Sequence, residues 1–382
     1  MTGKTCLVTG ATSGLGRATA VALARRGAVV VLGCRDPSGA GERARAGIVA
    51  EAGCSPDVVA VGPAALDLDS NASVKTFAAA MGRRYKRLDL LVNNAGTNYL
   101  PKAFSEEGVG RIAQVNFLGP AMLTRLLEKP LLAAAAAGGV ANVVHVSSVT
   151  HRYAAIPSVP SFLTSWEAGS YSATKLANVL FAYECQRRWG SRGVRSCAVD
   201  PGAVHSNLWN NDAFFGWPPV NAFLSAVYAP PRDGAVAVVT ACLEPFARTA
   251  ARGGAKTSHA AAASAATSVA TDERAPEDAG SLTFYARGLF ASAFVAKCAP
   301  DRTRGGASTG GVAGVLRECA WQAHLAAWGV GTLACSMLDW PARRCSGGRI
   351  AGGVFEVPSS PASYDPRTAG ELWDEAGKAA GL

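Results

Sequence analysis

Thr9-Gly10-Ala11-Thr12-Ser13-Gly14-Leu15-Gly16 is the stretch that decides the fold, because it joins a strand to a helix through three glycines. Residues 4–9 have the pattern of a short buried strand, and residues 18–26 have that of a helix. Glycines let the backbone approach a bound group closely, and the helix N-terminus that follows offers N–H groups to a pyrophosphate. The spacing differs from Gly-x-Gly-x-x-Gly, and a tight turn without a ligand is the alternative.

The same alternation of continuous apolar runs and helical patterns continues for about two hundred residues. It predicts further strands at 28–33, 58–61, 88–92, 140–146 and 194–199, with helices at 70–84, 106–127 and 172–189. Continuous apolar strands separated by helices are typical of a parallel sheet covered on both faces. We therefore expect an α/β fold, a single Rossmann-type doubly wound parallel sheet with helices on both faces.

The pattern breaks after about residue 228, although we expect residues 1–382 to form one domain. Residues 250–310 are rich in Ala, Ser, Thr and Gly and read as a long low-complexity, flexible insertion, whose apolar tail at 282–296 could still pack. Residues 311–382 are expected to supply C-terminal elements on the substrate side. Within them, 321–338 is uncharged and interrupted by glycines, which suits a pocket wall or a membrane surface better than a membrane span. A strand is expected at 348–357 and a helix at 367–380.

Composition excludes some classes of protein and function. The net charge is +9, but the basic residues are scattered and build no Lys/Arg block, so we expect no nucleic-acid partner. Ten cysteines without a Cys-x-x-Cys pair predict no metal site and suit a reducing, intracellular compartment. The first strand starts within a few residues of Met1, without a signal- or transit-peptide pattern. Cytoplasmic and membrane- or organelle-associated locations are both compatible with this sequence.

The end of the second strand bears on the choice of cofactor. An acidic residue there would bind a ribose 2′-OH, whereas an arginine would bind a 2′-phosphate. Arg35 comes first and Asp36 follows, and Arg17 could add a second positive charge. We predict NADP(H) in preference to NAD(H). Asp36-Pro37 also reads as a helix N-cap followed by proline, which gives Asp36 a structural alternative.

Three further polar positions follow strands or interrupt a helix. Asp67 could accept from the adenine amino group, or simply cap a turn. Asn93-Asn94-Ala95-Gly96 follows the fourth strand, and Gly96 would let the backbone pass close to a ribose. Asn116 sits inside a predicted helix, where Asn is unfavourable. A local distortion that serves a water chain would explain it, and a solvent-facing Asn is the alternative.

Tyr171-Ser-Ala-Thr-Lys175 places a phenol and an ammonium on one face of a helix. The ammonium favours the phenolate and so lowers the pKa of the phenol from its usual value of about 10. The pair can donate a proton to a carbonyl or accept one from an alcohol. Alone the spacing is common, but after a nucleotide-binding turn it is specific.

Together these motifs resemble the short-chain dehydrogenase/reductase family, in particular its retinol-dehydrogenase-like and protochlorophyllide-reductase-like branch. The resemblance covers about residues 1–210, with a weaker echo at 348–382, and the stretch 250–345 departs from the family pattern. Asn-Asn-Ala-Gly, and Ala-Thr between the tyrosine and the lysine, are more similar to the retinol-dehydrogenase side. The remaining matching pieces are Gly-Cys-Arg-Asp at 33–36, Val-Asn-Phe-Leu-Gly at 115–119, Val-Ser-Ser at 146–148 and Pro-Gly-Ala-Val-His-Ser-Asn-Leu at 201–208.

The resemblance implies a role for each matching residue. Tyr171 would be the general acid/base, and Lys175 would bind the nicotinamide ribose and lower the pKa of Tyr171. Ser148, more than Ser147, would hydrogen-bond the substrate oxygen, and Asn116 would hold a proton-relay water. The implied cofactor-binding set is Gly10, Thr12, Ser13, Gly14, Leu15, Gly16, Arg35, Asp67, Leu68, Asn94, Ala95, Gly96, Tyr171, Lys175, Pro201, Gly202, Val204 and Ser206.

The expected activity is the NADP(H)-dependent interconversion of a carbonyl and an alcohol on a lipophilic substrate, such as a retinal-like aldehyde, an apolar ketone or a pigment-type molecule. The apolar residues after the motifs favour such a substrate, although ordinary core packing explains them nearly as well. They are Leu208, Trp209, Phe214, Phe215, Trp217, Phe223 and the stretch 321–338. The alternatives are a protochlorophyllide-reductase-like reductase and a non-catalytic NADP(H)-binding or interaction protein. Both a homodimer and a peripheral membrane contact are compatible with the sequence.

Overall fold

The computed structural model describes residues 1–98, 104–165, 170–205, 208, 218, 221, 225, 228–254, 283–287, 354–356 and 359–382. The strands are β1 (Thr5–Thr9), β2 (Val29–Gly33), β3 (Val59–Val61), β4 (Leu90–Asn93), β5 (Ala141–Val146), β6 (Val194–Asp200), β7 (Thr283–Arg287) and β8 (Val354–Glu356). The helices are α1 (Gly14–Ala24), α2 (Glu42–Ala52), α3 (Asn71–Arg84), α4 (Arg111–Ala113), α5 (Gly119–Leu126), α6 (Glu128–Gly138), α7 (Val159–Thr164), α8 (Tyr171–Trp189), α9 (Pro231–Gly254) and α10 (Pro366–Ala380).

The strands form one sheet in the order β3-β2-β1-β4-β5-β6-β7-β8. Strands β1 to β7 pair in parallel, and β8 runs antiparallel to β7. From β1 the chain adds β2 and β3 on one side, and from β4 it adds β5, β6 and β7 on the other side. The loops after β1 and β4 therefore lie side by side at the switch point, where the strand order reverses. This confirms the predicted doubly wound α/β fold and brings the glycine turn next to residues 93–96.

Both faces of the sheet are buried, which explains why its strands are apolar without alternation. Leu7, Val31 and Leu91 pack into the core on one face, beneath α3, α5, α8 and α10. Cys6 and Val8 point to the other face, beneath α1, α2 and α9. The helices on each face therefore depend on the sheet for their packing, as the alternating pattern predicts.

The structure corrects one predicted helix. Residues 106–127 were expected to form a single helix, but Gly108 has φ +75° in a turn, and helix begins only at Arg111. Residues Gln114–Leu118 then form a π-helical turn before α5 starts. Left-handed backbone at Gly108 cannot continue an α-helix, so the preceding residues are excluded from it.

The region after residue 228 also contains regular structure that the sequence pattern did not predict. Helix α9 (Pro231–Gly254) packs on α1, and its last turn lies inside the segment expected to be an insertion. Strand β7 lies in the apolar tail of that segment and continues the sheet beside β6. The rest of 250–310, and 321–338, lie outside the described residues. Strand β8 and helix α10 fall where a strand and a helix were predicted.

Candidate active site

The turn between β1 and α1 needs its glycines for two different reasons. Gly10 and Gly14 adopt left-handed φ values of +64° and +52°, which side chains disfavour. Gly16 is needed for close packing, because a Cβ there would collide with the carbonyl oxygen of Gly10 and the side-chain amide of Asn94. Helix α1 is therefore packed closely against the end of β1.

The first turn of α1 is suited to an anion. Its N-cap residue Ser13 makes no side-chain capping bond, and the turn contains no acidic residue. Ser13 is exposed, and Thr12 and Leu15 are half-buried beside it. The backbone N–H groups at this N-terminus can thus be offered to a phosphate, which the positive end of the helix dipole also favours.

Asn94 ties the two loops of the switch point together. Its side-chain amide donates to the carbonyl of Thr9 over 2.8 Å. In return, the Thr9 hydroxyl accepts from the backbone N–H groups of Asn94 and Ala95 at 3.0 and 3.1 Å. Gly96 follows in a confined place, since a Cβ there would lie 3.3 Å from Asn116 Oδ1 and 3.5 Å from Lys175 Nζ. The backbone of this loop therefore passes directly over the Asn116 and Lys175 side chains.

The two charged residues after β2 differ in what they contact. Asp36 caps the following turn, with its carboxylate accepting from the N–H groups of Gly39 and Ala40 at 2.8 and 2.7 Å. The hydrogen bonds from Ala40 and then Gly39 lower the pKa of Asp36. Arg35 is exposed, and its guanidinium forms no ion pair within the part of the chain that the structure describes. Arg35 is thus available to an anion, whereas Asp36 is engaged.

Arg17, which the sequence suggested as a second positive charge for the cofactor, is paired elsewhere. Its guanidinium lies 2.6 Å from the carboxylate of Glu51 on α2. Glu51 also contacts Arg232 at 2.8 Å, and the hydrogen bond from Arg17 is the largest cause that lowers the pKa of Glu51. The ion pair uses the charge of Arg17 to join α1 to α2.

Asp67 forms the turn that its alternative interpretation predicted. Its carboxylate accepts from the N–H of Asp69 over 3.1 Å, and its own N–H donates to the Ser73 hydroxyl over 2.9 Å. Leu68 is buried, and its carbonyl accepts from the side chain of Gln114 over 3.1 Å. These bonds fix the loop after β3, while a contact with adenine stays a prediction.

Asn116 lies in the π-helical turn, which confirms the predicted local distortion. The side chain is buried, and Oδ1 accepts from the N–H of Thr97 over 2.7 Å. Its amide group donates to the carbonyl of Thr97 over 2.7 Å and to the Thr174 hydroxyl over 3.2 Å. Asn116 therefore connects the loop after β4 to helix α8, and the solvent-facing alternative is excluded.

The serine pair after β5 divides into two roles. Ser147 is buried, and its hydroxyl donates to the backbone carbonyl of Lys175 over 2.9 Å. Ser148 is half-buried, and its hydroxyl oxygen accepts from the N–H of Thr150 over 3.4 Å. A hydroxyl that accepts one hydrogen bond can still donate its own proton, so Ser148 can donate to another oxygen.

Tyr171 and Lys175 lie one turn apart at the start of α8. Lys175 Nζ lies 5.3 Å from the centre of the Tyr171 ring and donates to the carbonyl of Val146 over 3.0 Å. Burial lowers the pKa of Lys175 to about 8, against the opposing charge of Asp200. The lysine, the tyrosine and the serine pair are thus brought together by β5 and α8.

Asp200, for which the sequence predicted no role, completes this buried group. Its carboxylate accepts from the N–H of Gly202 over 3.0 Å. Burial raises the pKa of Asp200 to about 6, although the Gly202 bond and the charges of Arg152 and Lys175 oppose the rise. Its position directly before Pro-Gly at a strand end was the available signal.

The nicotinamide-side segment is described only in part. Pro201 and Val204 are buried, and Gly202 has a left-handed φ of +78°. Ser206 lies outside the described residues. Of the apolar positions that favoured a lipophilic substrate, Leu208 is described and half-buried. The others also lie outside the described residues, namely Trp209, Phe214, Phe215, Trp217 and Phe223.

Among the residues that the structure describes, no group of three or more His, Cys, Asp or Glu side chains is arranged to hold a metal ion. None of the helices formed by those residues combines the length and apolar character that crossing a bilayer requires.

Comparison with known proteins identifies the family of this chain. The sequence model of the short chain dehydrogenase family matches residues 4–213. Retinol dehydrogenase 14 of Homo sapiens is 40% identical over 218 residues, which are 54% of this chain and 64% of that protein. Polyprenol dehydrogenase of Mus musculus is 38% identical over 257 residues, 64% of this chain and 72% of that protein. The chain thus spans less than two thirds of the length of retinol dehydrogenase 14.

The fold also occurs in a solved structure. An uncharacterized protein from Mycobacterium Paratuberculosis is 24% identical, has a TM-score of 0.54, and is matched over 100% of this chain and 94% of that chain. At this identity the similarity concerns the fold alone.

Proposed function

The chain belongs to the short-chain dehydrogenase family, in its retinol-dehydrogenase-like branch, and from that premise we propose that it is an NADP(H)-dependent oxidoreductase. Its reaction would interconvert a carbonyl and an alcohol on a lipophilic substrate. The observation that carries the proposal is the buried Lys175 ammonium beside the Tyr171 ring, on the helix that packs against the strand end from which Ser148 follows. A module that only binds nucleotide has no need of these three groups in one place.

Each residue has a chemical task in this proposal. The bound cofactor supplies the hydride during reduction and accepts it during oxidation. Tyr171 transfers the proton at the substrate oxygen, and Ser148 donates a hydrogen bond to that oxygen. Lys175 stabilises the phenolate form of Tyr171, and its bond to the Val146 carbonyl holds its ammonium in place. Asn116 fixes the loop that faces Lys175, and we propose that a water beside it relays the proton.

The lipophilic substrate class rests on the relatives. Two of these relatives are named for retinol and polyprenol, which are long apolar alcohols. We therefore propose a long apolar aldehyde or ketone as the substrate of this chain. The test is a panel of retinal, long-chain aldehydes, apolar ketones and short polar aldehydes, with NADPH oxidation followed by absorbance. Turnover should be greatest with the long apolar aldehydes. Tight NADPH binding without turnover of any apolar carbonyl would contradict the proposal and favour a non-catalytic binding protein.

The preference for NADP(H) rests on the contrast between Arg35 and Asp36. Arg35→Ala should raise the KM for NADPH much more than that for NADH, since a hydrogen bond to a charged group is worth about 1.5–3 kcal/mol. Asp36→Asn is the matched control, because Asp36 caps a turn and should affect stability rather than the ratio of the two KM values. Equal KM values for the two cofactors in the unaltered protein would refute the preference.

The cysteines favour a reducing cellular compartment. The six cysteines in the described part of the chain are all free thiols, which suits a reducing intracellular compartment. A homodimer and a peripheral membrane contact stay predictions. Sedimentation and vesicle flotation of the purified protein would test them directly.

A further inference from the structure

His151 is a buried titratable residue that the proposed reaction does not use. It lies in the short turn Val149–Tyr153 that begins at Ser148, and its side chain has 0% exposure. Its Nδ1 lies 2.7 Å from the backbone carbonyl of Ser148. Its Nε2 lies 3.4 Å from the backbone nitrogen of Ser360, more than two hundred residues away in the chain.

These two contacts define the state of the imidazole. A carbonyl oxygen can only accept, so Nδ1 must carry the proton, and a backbone N–H can only donate, so Nε2 must be unprotonated. Burial lowers the pKa of His151 to about 3, so the ring is neutral at physiological pH. The neutral Nδ1–H form satisfies both partners at once.

The partner at Ser360 is itself firmly held. The hydroxyl of Ser359 lies 2.7 Å from Tyr183 Oη and 2.5 Å from the Ser363 hydroxyl. Ser363 in turn donates to the Ser360 carbonyl over 2.5 Å. Tyr183 lies on α8, the helix that begins with Tyr171, so residues 359–364 are fixed to the same helix that carries the tyrosine and the lysine.

We propose that His151 is a positioning residue for Ser148, joining the serine turn to residues 359–364 and through them to helix α8. The Ser148 carbonyl accepts both from Nδ1 and from the His151 backbone N–H at 3.1 Å, so two bonds fix the serine at the end of β5. The hydroxyl of Ser148 then meets the substrate oxygen at a set distance from Tyr171. The inference rests on the proposed function, because it assigns His151 to the same site.

Two substitutions at His151 separate positioning from packing. In His151→Asn the amide nitrogen is attached to Cγ, as Nδ1 was, so the variant keeps the donor to Ser148 but cannot reach Ser360. In His151→Gln no nitrogen is attached to Cγ, so the donor to Ser148 is lost. The Asn variant should retain a substantial part of kcat, and the Gln variant should lose up to about 100-fold, since small misplacements at a reacting centre have effects of that size. The KM for NADPH should be unchanged in both. Equal kcat values for the two variants, with or without a loss of stability, would overturn the proposal.

Ser360 offers an independent variant if the Gln protein does not fold. Ser360 has φ −70°, which proline also adopts, so Ser360→Pro removes the N–H without straining its own φ, and the ring Cδ takes the place of the hydrogen that points to Nε2. Its kcat should fall at least to the level of His151→Asn, because the second anchor is lost and the imidazole is displaced. Ser360→Ala keeps the N–H and should behave as the unaltered protein. Identical kcat values for Pro and Ala at this position would count against the coupling.

A spectroscopic readout distinguishes failure of this inference from failure of the proposed function. The chain has five histidines, and the His151 signal of ¹⁵N-labelled protein is identified by its loss in His151→Asn. Its ring nitrogens should show the neutral Nδ1–H form at neutral pH. An Nε2–H form or a charged ring would overturn the inference even in an active enzyme. The Nδ1–H form in a protein without turnover would contradict the proposed function alone.

Discussion

Lys175 shows at the scale of one residue how burial sets the chemistry of the site. Removing an ammonium from water disfavours its charged form, and the lowered pKa of about 8 expresses that penalty. The carbonyl of Val146 and the charge of Asp200 compensate in part, so that the ammonium persists at neutral pH. A charge held this way, 5.3 Å from the Tyr171 ring centre, stabilises a phenolate without direct competition from water.

Tyr171→Phe tests the proton-transfer role directly. The change keeps the ring and removes only the hydroxyl, so folding and NADPH binding should survive. The loss should fall in kcat and amount to about 10²–10⁴-fold, the usual contribution of general acid–base catalysis. Lys175→Ala serves as the comparison, since it should weaken NADPH binding as well as turnover. A near-normal kcat of Tyr171→Phe with a good substrate would remove the central residue of the proposal.

The pKa of Lys175 also makes a prediction about stability. Between about pH 8 and pH 10.5 the unfolded chain binds the proton that folded Lys175 releases, so Lys175 contributes a rise with pH to the free energy of unfolding. Its full contribution is about 3 kcal/mol, at 1.36 kcal/mol for each pKa unit. Burial raises the pKa of Cys6, Cys185, Cys242 and Tyr183, and these groups contribute a fall over the same range that is common to both proteins. In Lys175→Met the rise from Lys175 should be absent, so the free energy of unfolding of the variant should decline relative to that of the unaltered protein as pH increases. The unbonded Val146 carbonyl adds only an offset that does not depend on pH. Urea unfolding of the cofactor-free proteins over this range gives the two curves, and parallel curves would contradict the lowered pKa.

Residues that signal their role locally were predictable from the sequence. Asn116 disagrees with its helical surroundings, and the structure gives it a π-helical turn. The contact between Arg17 and Glu51 was not predictable, because it joins residues 34 positions apart across two helices. The roles of Asp200 and His151 were not predictable for a related reason. Both roles depend on burial and on hydrogen-bond or charge partners that only the fold brings close.

At the scale of the elements, the β1–α1 turn depends on the fit between Gly16 and its two neighbours. Gly16→Ala should displace α1 from the end of β1, because its Cβ would collide with the Gly10 carbonyl and the Asn94 amide. We expect a loss of stability together with a marked rise in the Kd for NADPH. Isothermal titration and urea unfolding measure the two effects separately.

Gly82→Ala in helix α3 is the matched control for this substitution. It adds the same methyl group where nothing lies within 4 Å, and it should stabilise the helix by about 0.5–1 kcal/mol without affecting NADPH binding. Unchanged NADPH affinity in Gly16→Ala would show that the turn tolerates the displacement, contrary to its proposed role.

Elements were predicted well where a strong local signal marked their ends. Helix α10 has Asp365 as N-cap, Pro366 at its first position and Gly381 with φ +79° after its end, and it was predicted to within one residue. Helix α9 was not predicted, because Pro245 interrupts its helical pattern. Its packing on α1 stabilises the helix in the folded protein. Tertiary contacts thus override a weak local pattern.

At the scale of the whole molecule, α10 closes the core on the face of the sheet that carries α8. Its buried residues recur at helical spacing, and Trp373 is the largest of them. The Trp373 ring stacks on Phe181 of α8 with centroids 5.6 Å apart, and the guanidinium of Arg125 lies 4.2 Å from its centre. The stability of α8, the helix that carries Tyr171 and Lys175, therefore depends in part on residues near the other end of the chain.

Trp373→Ala should lower the free energy of unfolding by about 3–5 kcal/mol, because it removes a buried indole and leaves a cavity between α8 and α10. The backbone carbonyl of residue 373 would still accept from Arg125, so the loss reports the ring itself. Glu371→Ala, on the exposed side of the same helix, should change stability by less than about 0.5 kcal/mol. Unfolding followed by urea, with kcat measured well below the transition, should show lower stability and little change in turnover. A loss of under about 1 kcal/mol for Trp373→Ala would mean that α10 unfolds separately from the sheet, and that α8 keeps the active site in place without it.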